Sequence, residues 1–162
     1  MTDRLWVTWE VQRRNRSMSQ QLDATLIELL SARHRLIKYP ILITKTIRIL
    51  FINKPKVLFV QNPSIVLSFL SVIMKRALKI ETVVVDCHNG GLFPLEGHFE
   101  ILNLISRYIV KKADITIVTN SVLADYVKNN GMSGHVCLHF LGSKSHKTKK
   151  EILEHQDAVK MA

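Results

Sequence analysis

Two polar turns hold the residues of this chain that could do chemistry. One is Asp86, Cys87, His88, Asn89, Gly90 and Gly91, which closes the β-branched run Thr82, Val83, Val84 and Val85. A buried parallel strand that ends this way delivers polar side chains to the carboxyl edge of a sheet, where open α/β sheets bind ligands. His88 is the strongest single candidate. Its imidazole, followed by Asn89, could hydrogen-bond a ligand hydroxyl or carry charge near neutral pH, while Gly90 and Gly91 let a ligand approach the backbone. Asp86 reads as a residue that positions the turn or His88. A histidine at a strand end can equally be structural.

The other turn is Glu10, Val11, Gln12, Arg13, Arg14, Asn15 and Arg16. Arg13, Arg14 and Arg16 at the start of a helix could bind a phosphate or diphosphate through guanidinium forks and free backbone amides. Glu10 could orient one of the arginines or accept a sugar hydroxyl. Charge runs also occur simply as solvated loops, and an ordinary surface glutamate serves as well.

The elements that must position these turns alternate along the chain. Residues 4–9 form a short strand, and Ser17 with Gln20 fits a capping box, so a short helix is expected to open at Ser17. Residues 24–30 read as a second strand, and Pro40 fits the first position of a basic, apolar helix over 41–52. A third strand over 56–60 stops at Gln61, Asn62 and Pro63, and Ser64 caps a helix running to about Leu78. The fourth strand spans 81–86, a helix with an Ile101, Leu104, Ile105, Tyr108 and Ile109 stripe spans 97–112, and a fifth strand spans 114–119. Asn120 or Ser121 then caps a helix that Gly131 ends.

This alternation is the signature of an α/β fold: a Rossmann-like, doubly wound parallel sheet in three α/β/α layers. In the common strand order 3-2-1-4-5, strands one and four are neighbours at the switch point. The turn 10–16 and the turn 86–91 would then face each other across one crevice.

Composition bounds the rest. At 162 residues with 47% hydrophobic content the chain can close one core, and we divide it into a domain over 1–131 and an atypical basic tail over 132–162. A net charge of +10 suggests an anionic neighbour: nucleic acid, an acidic membrane surface or a phosphorylated ligand. Cys87 and Cys137 are too few for a disulfide scaffold, and the first residues lack the apolar core of a signal peptide, so a cytoplasmic place is expected. The uncharged run 57–74 contains Gln61, Asn62, Pro63 and Ser64, which would be costly in hydrocarbon, so it reads as strand, turn and helix rather than a membrane span.

Several chemistries lack their motif. No G-x-G-x-x-G follows the first strand, no G-x-x-x-x-G-K-[ST] occurs, and no G-x-S-x-G elbow is present, so no cofactor is expected. His135, Cys137 and His139 alternate in a possible sixth strand over 135–141, but they lack the usual spacing of a structural zinc site, and no metal is expected.

The first strand with Glu10, Arg13, Arg14, Arg16 and Ser17, the fourth strand ending Asp86, Cys87, His88, Asn89, Gly90, and the fifth strand ending Thr119, Asn120, Ser121 together resemble the N-terminal half of a GT-B glycosyltransferase. The likeness is to the retaining family-4 type used in polysaccharide assembly and covers roughly residues 4–131. It implies a two-domain enzyme whose N-terminal half holds a lipid-linked or saccharide acceptor and whose C-terminal half holds the nucleotide-sugar donor. It implies that His88 reaches the donor sugar, and that the arginine loop with Glu10, Asn89 and Gly90 lines the cleft. The family's spaced glutamate pair has no counterpart here, since no two glutamates stand at that spacing. Alone, such a chain is expected to be inactive unless a partner chain supplies the donor domain, and the tail would fit a frameshift or early stop.

The basic, apolar helices over 41–52 and 64–78 could also rest on anionic lipid at the inner face of the plasma membrane, or simply pack on the sheet with their lysines at the rim. The competing reading is a non-catalytic basic module that binds nucleic acid or a protein partner. Against nucleic acid, Trp6 and Trp9 lie in a predicted strand and the helices are aliphatic.

Overall fold

Short β-branched and aliphatic runs, each closed by polar residues, form six parallel strands: β1 (Arg4–Thr8), β2 (Thr25–Glu28), β3 (Val57–Asn62), β4 (Thr82–Cys87), β5 (Ile115–Val118) and β6 (His135–Cys137). The fold is that of a computed structural model, which describes residues 3–62, 64–87, 89–94, 98–119, 121–131 and 135–137. The helices between the strands are α1 (Arg13–Gln21), α2 (Arg35–Asn53), α3 (Ile65–Met74), the single turn α4 (Asn89–Leu92), α5 (Glu100–Lys112) and α6 (Ser121–Asn129). The sheet order is β2-β1-β3-β4-β5-β6, so β6 extends the sheet past residue 131. The rest of the expected basic tail, 132–134 and 138–162, lies outside the described residues.

The direction of each crossover decides which face its helix covers. β1 leads outward to the edge strand β2, whereas every later connection runs the opposite way across the sheet. Right-handed crossovers therefore put α1 on one face and α2, α3, α5 and α6 on the other. The packing agrees: Met18 of α1 sits with Trp6, Phe59, Val84 and Ile117. On the opposite face Leu42, Leu50, Leu67, Ile109, Leu123 and Val127 meet Leu5, Val7, Leu58, Val60, Val83 and Val85. The result is the expected three-layer, Rossmann-like α/β/α arrangement.

The strand order corrects the sequence expectation. β1 lies between β2 and β3 rather than beside β4, with Trp6 opposite Phe59 and Val7 opposite Val60. The cause is burial: β3 is covered on both faces from Leu58 to Asn62, while the residues of β2 stay partly exposed. A strand apolar on both sides belongs in the sheet interior, and the less apolar β2 takes the edge.

Three boundaries also move. α1 opens at Arg13, with Gln12 as N-cap and no side-chain cap bond, so Ser17 is inside the helix and the capping box with Gln20 does not form. The earlier start places Arg14 and Asn15 over the sheet, where both find partners. α2 begins at Arg35, with the Ile37 and Lys38 amides donating to the His34 carbonyl, so Pro40 is inside the helix rather than at its first position. β3 runs on through Gln61 and Asn62, because both continue the pairing with Asp86 and Cys87. The 57–74 run thus holds a strand and a helix, with Pro63 between them outside the described residues, and among the described residues no helix is long and apolar enough to cross a membrane.

Leu58 is fully buried at the centre of β3. Leu58→Ala is expected to cost about 2–5 kcal/mol through lost transfer energy and a residual cavity. Urea unfolding would show it as a lower midpoint at unchanged slope.

Candidate functional site

At the carboxyl edge of the sheet the face toward α1 changes from apolar to polar in one step. Trp6, Phe59, Val84 and Ile115 stand in register, with the Trp6 and Phe59 rings stacked at 5.3 Å. Two residues further along the strands come Thr8, Gln61 and Asp86, all buried. α1 lies over this row. Arg14 clasps Asp86 with both arms of its guanidinium, Nε to Oδ2 at 2.9 Å and Nη2 to Oδ1 at 2.7 Å. Asn15 Nδ2 donates to Gln61 Oε1 at 2.7 Å and to the Thr8 hydroxyl at 3.1 Å. The Thr8 hydroxyl lies 3.0 Å from both Gln61 Oε1 and the Glu10 carbonyl, either of which can take its one proton. Asn15 Oδ1 and Gln61 Nε2 have no partner among the described residues, which makes them places for ordered water.

On the opposite face, β3 and β4 end in Asn62 and Cys87. Asn62 Nδ2 donates to the Gly91 carbonyl at 3.3 Å, and Ser106 of α5 donates to the same carbonyl at 2.6 Å. Gly91 has no room for a side chain: a Cβ would stand 2.8 Å from Asn62 Cγ and nearer still to the Asn62 carbonyl. Burial pushes the Cys87 thiol up to about 12, so it packs as a small apolar group and is no nucleophile.

A cleft of about 510 Å³ opens at this edge on the helix-covered side. Trp9, Glu10, Lys38, Tyr39, Ser64 and Gly90 lie around it, and Ile65, Val66, Phe69, Pro94, Leu102 and Ile105 give it an apolar lining. The Trp9 indole is fixed by a 3.0 Å hydrogen bond to Thr46 of α2, and its ring tilts against Tyr39 at 6.1 Å. An apolar cavity with a few polar groups and two aromatic rings suits a small organic ligand, and sheets of this kind bind ligands at this edge.

The sequence candidates divide between these places. Glu10 and Gly90 line the cleft together. Arg14 is engaged with Asp86 on the α1 face, and Arg16 pairs with Glu28 of β2 at 2.8 Å. Arg13 is exposed and has no partner among the described residues. Thus the two turns do meet, but Arg14 does so by reaching over β3, and two of the three arginines bond carboxylates. Asn89 opens α4, its side chain lies outside the described residues, and His88 lies outside them altogether. His139 does too, and the side chains of His135 and Cys137 are not described. Among the described residues no group of three His, Cys, Asp or Glu could hold a metal ion.

No protein-family model matches this chain, and no curated protein or solved structure matches it either.

Sequence reasoning missed Trp9, Lys38 and Tyr39 as parts of the site. Trp9 and Tyr39 are far apart in sequence and meet only because α2 starts early enough to bring Tyr39 to the edge. Gly91 carries a signal in the Gly-Gly pair, but only the Asn62 contact shows which of the two glycines is constrained.

The two ion pairs are expected to behave differently. Asp86 is almost fully buried, so Arg14→Met removes the fork from a carboxylate that cannot reach water and is expected to cost about 3 kcal/mol in denaturant unfolding. The Arg16 hydrogen bond holds the Glu28 carboxyl below its ordinary value, so that pair stabilises at neutral pH and its contribution fades as pH falls through the lowered value. Arg16→Gln should therefore differ slightly from the parent at pH 7 and converge with it in acid, as thermal melts across pH would show.

Proposed function

We propose that the described residues form the acceptor-side half of a glycosyltransferase, acting in transfer of a sugar from a nucleotide-sugar to a lipid-linked or polysaccharide acceptor. The observation that carries this reading is the carboxyl-edge cleft into which both resembling turns send a residue, Glu10 from one and Gly90 from the other. The aromatic faces of Trp9 and Tyr39 suit the apolar face of a sugar ring or an isoprenoid segment. Glu10 can accept a sugar hydroxyl, and Lys38 can meet a phosphate on the acceptor. His88, next along the chain from the end of β4, would reach the donor sugar, and a partner chain or further domain would hold the nucleotide. Arg14 and Arg16 serve in this reading as fixtures of α1, and Arg13 remains for an anionic ligand. In this reading the described residues supply acceptor binding, and turnover needs a donor domain as well. A cytoplasmic place on the inner face of the plasma membrane goes with such an acceptor.

Calorimetric titration with a panel of nucleotide-sugars and undecaprenyl-diphosphate-type acceptors tests the reading. The expected result is that an acceptor analogue binds, that nucleotide-sugars do not, and that Tyr39→Ala weakens acceptor binding about 3- to 10-fold. His88→Ala should leave acceptor affinity nearly unchanged and reduce turnover once a donor domain is supplied. If nothing in the panel binds, the transferase reading fails and a non-catalytic basic module takes its place.

A further inference from the structure

The apolar stripe of α5 is wider than the sheet beneath it can cover. Ile109 is buried and Ile105 half-buried, but Ile101 is 63% exposed, Leu104 68% and Tyr108 41%. Single surface aliphatics are ordinary, whereas three on adjoining turns of one helix side make a continuous strip of the kind that meets another protein surface. The strip is held in shape, because the Tyr108 ring tilts against Phe69 of α3 at 5.8 Å. A hollow of about 430 Å³ lies over Glu100, Ile101, Asn103, Leu104 and Arg107. Glu100 and Arg107 are both exposed, two turns and about 10 Å apart on the same side of the helix, and they do not bond each other. Neither has an ion-pair partner among the described residues.

We propose that α5 is the contact face of a symmetric dimer, packed antiparallel against α5 of a second copy of this chain. The strip is its own complement. About a twofold axis at Leu104, position 100 falls opposite 107 and position 101 opposite 108. In such an isologous contact every pair occurs twice. Glu100 meets Arg107 of the second copy at each end, Ile101 covers Tyr108 of the second copy, and the two Leu104 side chains meet on the axis. Opposite charges flanking an apolar centre fix register and orientation in helix pairs. α2 lacks this property: it exposes Ile37, Phe51 and Ile52 beside cations and has no acidic residue, so two copies of it would repel. From 100 to 108 the strip of α5 carries one acid and one base, so its charge is satisfied by a second copy and needs no polyanion. The 13 residues of α5 make a contact about 20 Å long. That is smaller than a standard interface of about 800 Å² per partner, so the dimer is expected to be weak, in the micromolar range. Leu102 and Ile105, which line the cleft, lie outside the strip, so dimerisation does not rest on acceptor binding and is read separately from it.

The test is sedimentation equilibrium of the chain from low to high micromolar concentration, where a reversible monomer–dimer equilibrium is expected. Glu100→Arg and Arg107→Glu should each weaken it about tenfold, because each turns two attractive pairs into two repulsive ones. An equimolar mixture of the two variants should recover the parent affinity, since each then supplies the charge that the other lacks. Leu104→Asp should abolish the dimer while its far-ultraviolet circular dichroism stays that of the parent, because the side chain is exposed in the single copy. A chain that stays monomeric over this range, single variants that associate like the parent, or a mixture no tighter than the variants alone would overturn the proposal. So would capture of a monomeric parent by anionic phospholipid vesicles that Leu104→Asp abolishes, since that result gives the strip to lipid.

Discussion

Burial of β3 on both faces is the constraint from which the rest of the architecture follows. A strand reading Val, Leu, Phe, Val, Gln, Asn cannot be left at an edge, so it enters the sheet between β1 and β4, and β2 is displaced outward. Once β2 is the edge, only the first crossover turns outward, and the fixed hand of such crossovers leaves α1 alone on its face among the described helices. One strand's hydrophobicity thereby decides the sheet order, the side of every helix and the side on which the cleft opens.

The same strand separates the two functions that the polar turns were expected to share. Successive residues of a strand face opposite sides, so Asp86 points toward α1 and Cys87 toward the helix layer. Asp86 is then committed to Arg14, whose long side chain bridges the width of β3, and the row with Gln61, Thr8 and Asn15 ties α1 to the sheet. The ligand-sized space forms on the other side, where Gly91 lets α4 press against Asn62 and Ser106 of α5 holds the Gly91 carbonyl. Glu10 and Gly90 reach it because they lie beyond the strand ends, where the alternation no longer applies.

This explains what could be read from the sequence. Strand and helix types were legible because they depend on local periodicity, and the 57–74 run was legible as strand and helix because Gln61, Asn62, Pro63 and Ser64 interrupt it. The neighbour relation of the strands was not, because it depends on comparing the burial of whole strands. The start of α1 was not legible either. Ser17 and Gln20 offer a local cap worth about 1 kcal/mol, and long-range bonds from Arg14 and Asn15 outweigh it. Glu10 and Gly90 were found at the cleft because glycine-rich and charged turns mark strand ends, whereas Tyr39 needed a helix boundary that the sequence placed too late.

The net charge of +10 takes on a different meaning once the pairs are known. An arginine-rich turn at a helix start reads as a phosphate site, but Arg14 and Arg16 each face a carboxylate and contribute little attraction at a distance. The cations of α2 have no acidic residue on their own helix, so their field is not cancelled locally. They also alternate with Ile37, Phe51 and Ile52, whose exposure has no use in a purely solvated helix. Unpaired positive charge and exposed apolar side chains therefore occur together on the outer side of α2, away from the arginine turn.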